Sequence, residues 1–364
     1  TISALSDPVI QMFNRAWNGL PMMEAITRSL AFLDPTNAED RMFAAQLGAG
    51  MDDAIGHSIA LLRYTGEATV NGRMQWLAAA VLRAGGLNFW TEAQKRASAW
   101  GWSAHMARER GKSWTQLDEA FRAALERYTI GEAEWDMIRS TEPVERGGAM
   151  FLKPGDLYAN PALDGVTADA LVTKLLALVT TEEKNSVIQA SLRTRAATVS
   201  AGKRGTAPGE VWRSIMQFKQ FPVEIMLRSL GRLMHDTGRP ASAKLAYAMM
   251  FPALTLTGAV ILQLKAIAQG RDPRPTDDPK FWMAAAAQGG GLGLFGDFLF
   301  TETGRFGRSF AETMGGPSVG LMGDLKDYVQ GNLTGMVAGE DTNAGREAVQ
   351  LVRRYPPCLL YTSR

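Results

Sequence analysis

Leu245 to Leu264 is a run of twenty residues without a charged side chain, closed by Lys244 at one end and Lys265 at the other. A helix rises about 1.5 Å per residue, so such a run spans roughly 30 Å, the thickness of a bilayer's hydrocarbon core. A chain carrying it has two solutions. It can bury the helix in a large helical core or subunit interface, or place it in lipid. Thr255, Thr257 and Gly258 suit either, and Pro252 kinks a helix without forbidding the span. A second uncharged stretch, Phe281 to Gly296, is shorter and Gly-rich, and the polar Arg271–Pro279 separates the two. Together they predict a very apolar C-terminal helical hairpin. Leu245, Phe251, Leu254, Val260, Leu264, Phe281, Trp282, Phe295 and Phe298 are its expected membrane or interface side chains. Cations flank the first stretch on both sides, which leaves its orientation unreadable.

The remaining sequence is also helical in its spacing, and alternating strand patterns are almost absent. Residues 7–33 form one apolar-rich run stopped at Asp34-Pro35. Thr36 and Glu39 form a capping-box pattern for the next run, which extends to Tyr64 with a break at Gly48 and Gly50. Met74, Leu77 and Val81 recur at helical spacing, as do Leu117, Phe121, Leu125 and Tyr128. Ser113 is the expected N-cap of the latter, with Asp118 and Arg122 as an outward i,i+4 pair. Further helices are expected over Thr91–Arg110, Gly131–Arg139 and Ala168–Leu178. Residues 142–165 hold Pro143, Pro154, Pro161 and four Gly, the composition of an irregular connector. Residues 193–210 read as a basic loop. The expected architecture is all-α, with multi-helix bundle-like lobes. Its divisions are an N-terminal lobe (1–141), a connector with a small helical subdomain (142–209) and an apolar C-terminal lobe (210–350). Residues 357–364 resemble translated adapter read-through of the kind that closes metagenomic genes, so the chain is expected to be a fragment.

Composition excludes several functions. With 364 residues, 46% hydrophobic and 21% charged, the chain is globular in character. One Cys leaves no disulfide framework or Cys-rich metal site, and three scattered His make no metal cluster. Gly291, Gly293 and Gly296 match a dinucleotide-loop spacing, but helical sequence precedes them where a strand is required. Gly56-His57-Ser58-Ile59-Ala60 approaches a nucleophile elbow, again within helical sequence. His105 and His235 read as surface or satisfied helix histidines. Asp52-Asp53 and Glu182-Glu183 read as solvated helix ends, because helix neighbours point apart. No catalytic, cofactor-binding or metal-binding residue is assigned, and no cofactor is expected.

The basic stretch has more content. A net charge of +2 rules out a chain-wide polyanion binder. Between Arg193 and Lys244, however, ten cations face only Glu210, Glu224 and Asp236, a local excess of +7. Such an excess suits DNA phosphates or anionic lipid heads. The expected contacts are Arg193, Arg195, Lys203, Arg204, Arg213, Lys219, Arg228 and Arg232.

Three segments carry a family resemblance. Arg213-Ser-Ile-Met-Gln-Phe-Lys-Gln-Phe-Pro222 resembles an R-S-x-M-x-F-K-S-F-P motif, with Gln220 where Ser is commoner. Gln288-Gly-Gly-Gly-Leu-Gly-Leu-Phe-Gly-Asp-Phe-Leu-Phe300 and Gly131-Glu-Ala-Glu-Trp-Asp-Met-Ile-Arg139 resemble two more. All three are similar to segments near the C-terminal end of large phage and prophage internal virion, or DNA-ejection, proteins. The resemblance covers residues 1–350. It implies a non-enzymatic part of a virion component, held in the virion interior and later in the host envelope, and in the bacterial cytoplasm before assembly. It implies other virion proteins or further copies as partners, with DNA phosphates and host membrane lipid as contacts. Any lytic transglycosylase domain would lie upstream. The alternatives are the structural tail of a larger lysozyme-like or polymerase-like virion enzyme, and a scaffold or tape-measure-like protein.

Overall fold

The computed structural model describes residues 6–34, 38–50, 87–188, 191–198, 220–268 and 272–289, with positions 203, 206, 208, 209, 212, 216 and 270. Within these the protein is mostly helical, with two short strands. The helices are α1 (Asp7–Trp17), α2 (Glu24–Ala31), α3 (Ala38–Gln46), α4 (Leu87–Glu109), α5 (Glu119–Arg127), α6 (Glu132–Ser140), α7 (Gly165–Ser186) and α8 (Leu192–Ala197). Then come α9 (Gln220–Ile225), a π-helical turn at Met226–Leu230, α10 (Gly231–His235), α11 (Ala241–Ala248), α12 (Met250–Ala268) and α13 (Pro279–Gly289). The chain groups into two compact units that are not contiguous in sequence. One gathers residues 1–69, 85–189 and 227–257, the other 70–84, 190–226 and 258–364. Residues 142–165 fall within the first unit.

In the first unit α4 is the central helix. Ala93, Ala97, Trp100, Ala104 and Ala107 recur every three or four residues and are buried, so small side chains let neighbours approach. Trp100 meets Phe32, Phe43 and Phe151 edge-on, with ring centroids 5.4, 5.4 and 4.4 Å away. Such pairs add about 0.5–1.5 kcal/mol each beyond burial. Leu171, Leu175, Leu178 and Val179 of α7 supply a further wall of the same core.

The Pro/Gly stretch folds into something more regular than a connector. Strands β1 (Val144–Arg146) and β2 (Ala149–Phe151) pair antiparallel around Gly147 and Gly148, whose φ values of +56° and +74° suit a tight primed turn. Ser103 in α4 donates to the Leu152 carbonyl at 2.8 Å, which fixes the hairpin against the core.

Three local expectations are corrected. The run 7–33 divides into α1 and α2, because the chain turns at Gly19 (φ +72°), where a Cβ would sit 2.8 Å from the Phe121 nitrogen. Ser113 caps only a 3-10 turn at Trp114–Gln116, and α5 starts at Asp118, whose carboxylate accepts from the Ala120 and Phe121 amides at 2.9 and 3.3 Å. Asp118 is therefore an N-cap and not half of a surface ion pair. The basic segment from 193 begins as helix α8, capped by Ser191.

In the second unit the buried Glu224 accepts from the Ser191 amide and hydroxyl at 3.0 and 2.9 Å and from the Thr194 hydroxyl. Ala259 and Leu262 of α12 pack on Phe281 and Ala285 of α13. A Cβ on Gly258 would sit 2.0 Å from the Ala285 carbonyl oxygen, so only glycine permits this crossing. Gln263 clasps the loop between the two helices, donating to the Arg274 carbonyl and accepting from its amide, both at 2.8 Å. The expected apolar helical hairpin is present as far as Gly289.

Met74, Leu77 and Val81, Thr36, the Gly56–Ala60 and Gly291–Gly296 patterns, Asp52-Asp53 and residues 315–364 lie outside the described residues. So do Arg204, Arg213, Lys219, Phe295, Phe298 and the side chain of Arg195.

Candidate functional site

Among the described residues, the densest polar chemistry lies inside the first unit, around Glu182 near the end of α7. Its side chain is fully buried. Arg232 of α10 donates to Oε1 at 2.7 Å, Tyr128 donates to the same oxygen at 2.8 Å, and Asn18 of α1 donates to Oε2 at 2.8 Å. Asn14, one helical turn before Asn18, donates to Ser186 Oγ at 2.7 Å and accepts from Arg232 at 2.5 Å. Arg239 donates to Asn18 Oδ1 at 3.1 Å and to the Ala120 carbonyl at 2.6 Å. The guanidinium carbons of Arg232 and Arg239 lie 5.3 and 5.4 Å from the Trp17 ring, which packs on Tyr247 at 4.9 Å.

Electrostatics follow from this arrangement. Burial alone would raise the Glu182 pKa. The Arg232 charge and the bonds from Tyr128, Arg232 and Asn18 outweigh it and lower the value to about 2. Burial and the Glu182 carboxylate push the Tyr128 phenol up, so it remains a neutral donor. Burial, with Arg232 close by, lowers Arg239 to about 10.

A cleft of about 420 Å³ shares Arg232 with this cluster, and its wall includes Arg127, Thr181, Asn185, Arg228, His235 and Asp236. Arg127 Nη1 lies 2.5 Å from Asp236 Oδ2, and Arg239 Nε lies 3.5 Å from the same oxygen.

The second feature is the helical span Ala241–Ala268, 28 residues with a mean hydropathy of 1.8 over its most apolar window. It alone among the described helices is long and apolar enough to cross a membrane. Leu245, Met249, Leu256, Val260, Leu264 and Ile267 are all exposed, Leu245 at 68% and Val260 at 56%. Their spacing of three, four and seven residues puts them on one stripe about 100° wide. Tyr247, Met250, Leu254 and Ile261 face inward.

Several sequence expectations change on this evidence of burial. Glu182 and Glu183 are not a solvated helix end; both are buried, and Glu183 accepts from the Gly50 amide at 3.0 Å. Arg232 cannot contact an external polyanion, because its charge is held by Glu182 at 4% side-chain exposure. Arg239, counted in the basic excess, is likewise internal. His105 is not a satisfied histidine: it is buried, and neither ring nitrogen meets a hydrogen-bond partner among the described residues. Leu254 and Phe281 are buried and face protein. Arg193 and Lys203 are exposed, Phe251 and Arg228 half-buried, and His235 and Trp282 exposed.

The Gly131–Arg139 motif folds as α6 and has a structural role there. Glu134 accepts from the Gly131 amide and from Lys174 at 3.0 and 2.9 Å, and the buried Trp135 donates to the Lys112 carbonyl at 3.1 Å. The Glu182 cluster was missed because its members lie far apart in sequence. A usable signal was present in α1, where Asn14, Arg15 and Asn18 interrupt a helix otherwise able to bury its apolar face beside Trp17.

Among the described residues, fold and site together define a mostly helical protein with a buried ion-pair centre and one long apolar helix exposed along a single stripe. No protein-family model matches the sequence, and neither the curated proteins nor the solved structures yield a match.

Proposed function

We propose that this chain is a non-enzymatic helical segment of a phage internal virion protein, and that it helps move the genome into the host by lodging α12 in a bilayer. The exposed apolar stripe from Leu245 to Ile267 carries this proposal. A helix belonging only to a water-soluble core turns its large apolar side chains inward; this one leaves six of them in contact with water. About half of each side chain remains to be removed from water, so each would gain roughly 1 kcal/mol on transfer to lipid. The phage role comes from the resemblance in the segments at 131–139, 213–222 and 288–300.

In that role the chain is stored in the virion interior and passes to the host envelope, after a stay in the bacterial cytoplasm before assembly. Its partners are other virion proteins or further copies of itself. The exposed Arg193 and Lys203 touch polyanions, DNA phosphates or lipid heads, together with Arg195, Arg204, Arg213 and Lys219. Any transglycosylase activity belongs to an upstream domain of the longer protein.

Co-flotation of the full chain with liposomes tests the proposal. Wild type floats, and Val260→Asp, which puts a charge on the exposed stripe without entering the core, sinks. A charge at a helix centre costs about 3 kcal/mol in lipid, roughly a hundredfold in partitioning. A wild-type chain that stays in the aqueous fraction at every lipid composition overturns the membrane role and leaves a scaffold or tape-measure-like one.

A further inference from the structure

The two faces of the long apolar helix differ in a way that fixes how it meets lipid. We infer that α11 and α12 lie flat in one leaflet, docked along the boundary between headgroups and acyl chains, and do not cross the bilayer. This rests on the bilayer role proposed above and gives that contact its geometry.

Lipid is the occupant that the stripe's chemistry fits. Between Leu245 and Ile267 every exposed residue is apolar, the six large side chains being joined only by Pro252. No exposed Gly or Ala interrupts them. Helices that pair in lipid need such small residues to approach one another, and here Gly258, Ala259 and Ala266 are on the buried face. Protein interfaces anchor on Trp, Tyr and Arg, and the stripe has none. Its area is on the order of a few hundred Å², against roughly 800 Å² per partner in a stable complex. Polar groups beside it are spent internally. Thr255 and Thr257 donate to the Phe251 and Ala253 carbonyls at 3.2 and 2.9 Å, and Gln263 uses both ends of its amide on the Arg274 backbone.

The opposite face argues against a crossing. In the first unit Tyr247 packs on Trp17 at 4.9 Å, and Trp17 in turn lies against the guanidinium groups of Arg232 and Arg239. Drawing α11 into hydrocarbon would strip Tyr247 from that stack or carry two cations with it, which is costly at membrane depth. In the second unit Ala259 and Leu262 pack on Phe281 and Ala285, so α13 goes where this half of α12 goes. With 11 residues α13 is about 16 Å long, half of a hydrocarbon core. Its exposed Lys280 stands at one end, and near the other Gln288 accepts from Lys265 at 2.9 Å. Lying flat breaks none of these contacts. The stripe sinks roughly 5–10 Å, while Lys244 and Lys265, which the helical step turns away from it, stay at the level of water.

Accessibility from one side of a sealed vesicle tests this. The background is Cys358→Ser, which removes the one thiol of the chain. Ser242→Cys and Ala268→Cys then mark exposed positions near the two ends of the 28-residue span, and Val260→Cys marks mid-stripe. Each full-length variant is bound to sealed vesicles of phosphatidylcholine and phosphatidylglycerol in equal parts, recovered by flotation, and treated from outside with a membrane-impermeant maleimide. Ser242→Cys and Ala268→Cys should both react as completely as they do after detergent is added. Val260→Cys should react about tenfold or more slowly on vesicles than in solution, because it sits among acyl chains. Protection of one end until detergent opens the vesicle would show a crossing helix, which overturns the flat geometry and leaves the bilayer role standing. A Val260→Cys chain that floats but reacts equally fast with and without vesicles would overturn it too. So would protection in lipid-free solution that grows with chain concentration, since a second copy would then be the occupant. Failure of every variant and of wild type to float removes the bilayer role itself, and the flat geometry with it.

Discussion

Replacing Glu182 by Gln removes one negative charge and almost no volume, so its effect isolates the electrostatics of the buried centre. Arg232 would be left as an unpaired cation at 4% exposure. The amide cannot repair the loss. Whichever way it flips, an NH2 group faces donors: Asn18 at the Oε2 position, or Tyr128 and Arg232 at Oε1. Breaking a buried pair from one side costs about 3–5 kcal/mol. The proton linkage gives a similar figure. A carboxyl lowered from 4.5 to about 2 on folding contributes about 3 kcal/mol. Because the folded-state value is the depressed one, this stability is complete above about pH 4.5 and disappears as the pH falls towards 2. Urea unfolding followed by tryptophan fluorescence reads it, since Trp17 packs against both arginines of the cluster. Glu182→Gln should lower stability by about 3–5 kcal/mol at pH 7 and flatten the acid limb. The double variant Glu182→Leu, Arg232→Met should recover much of the loss, because an apolar pair leaves no stranded charge. A single variant within about 1 kcal/mol of wild type would refute the assignment of a stability role to this pair.

His105 is held neutral by burial, with Arg108 and Arg15 adding repulsion, and its pKa falls to about 3. Unfolding therefore takes up a proton below pH 6.5, and His105→Leu should reduce the stability lost between pH 6.5 and 3, measured by the same urea titration across pH. Gly258→Ala should destabilise the α12–α13 contact by about 1–3 kcal/mol, because backbone must move away from the new methyl; hydrogen exchange in α13 would register this as faster opening. Asp118→Ala should lower stability by about 1 kcal/mol through loss of the α5 cap, with Asp118→Asn nearly neutral, read by thermal unfolding.

The helices were legible where the sequence speaks locally. Gly48 and Gly50 end α3 as expected, with φ values of +98° and +69°. The spacing of Leu117, Phe121 and Leu125 correctly marks a buried face. Errors arose where a polar residue's role depends on distant partners. Glu182-Glu183 looks like a wet helix end only because Asn14 and Arg232, 168 and 50 residues away, are invisible to local spacing. Arg232 looked like a phosphate contact for the same reason: charge can be counted from sequence, but the direction it faces cannot. The Pro/Gly stretch hid a hairpin because three-residue strands are too short to show alternation.

The bond from Arg232 to Asn14 closes a loop of 218 residues, and Arg239 reaches Asn18 over 221. Such closures are entropically slow, and contacts of this kind govern folding rate more than local helix formation does. On the ribosome, where synthesis runs from the N-terminus, α1 and α7 emerge long before their arginine partners. Until residues 227–257 follow, Glu182 has no cation to receive it, and the nascent first unit must wait with that carboxylate in water. Cutting the chain near residue 210 to obtain a tractable N-terminal piece would make that waiting state permanent.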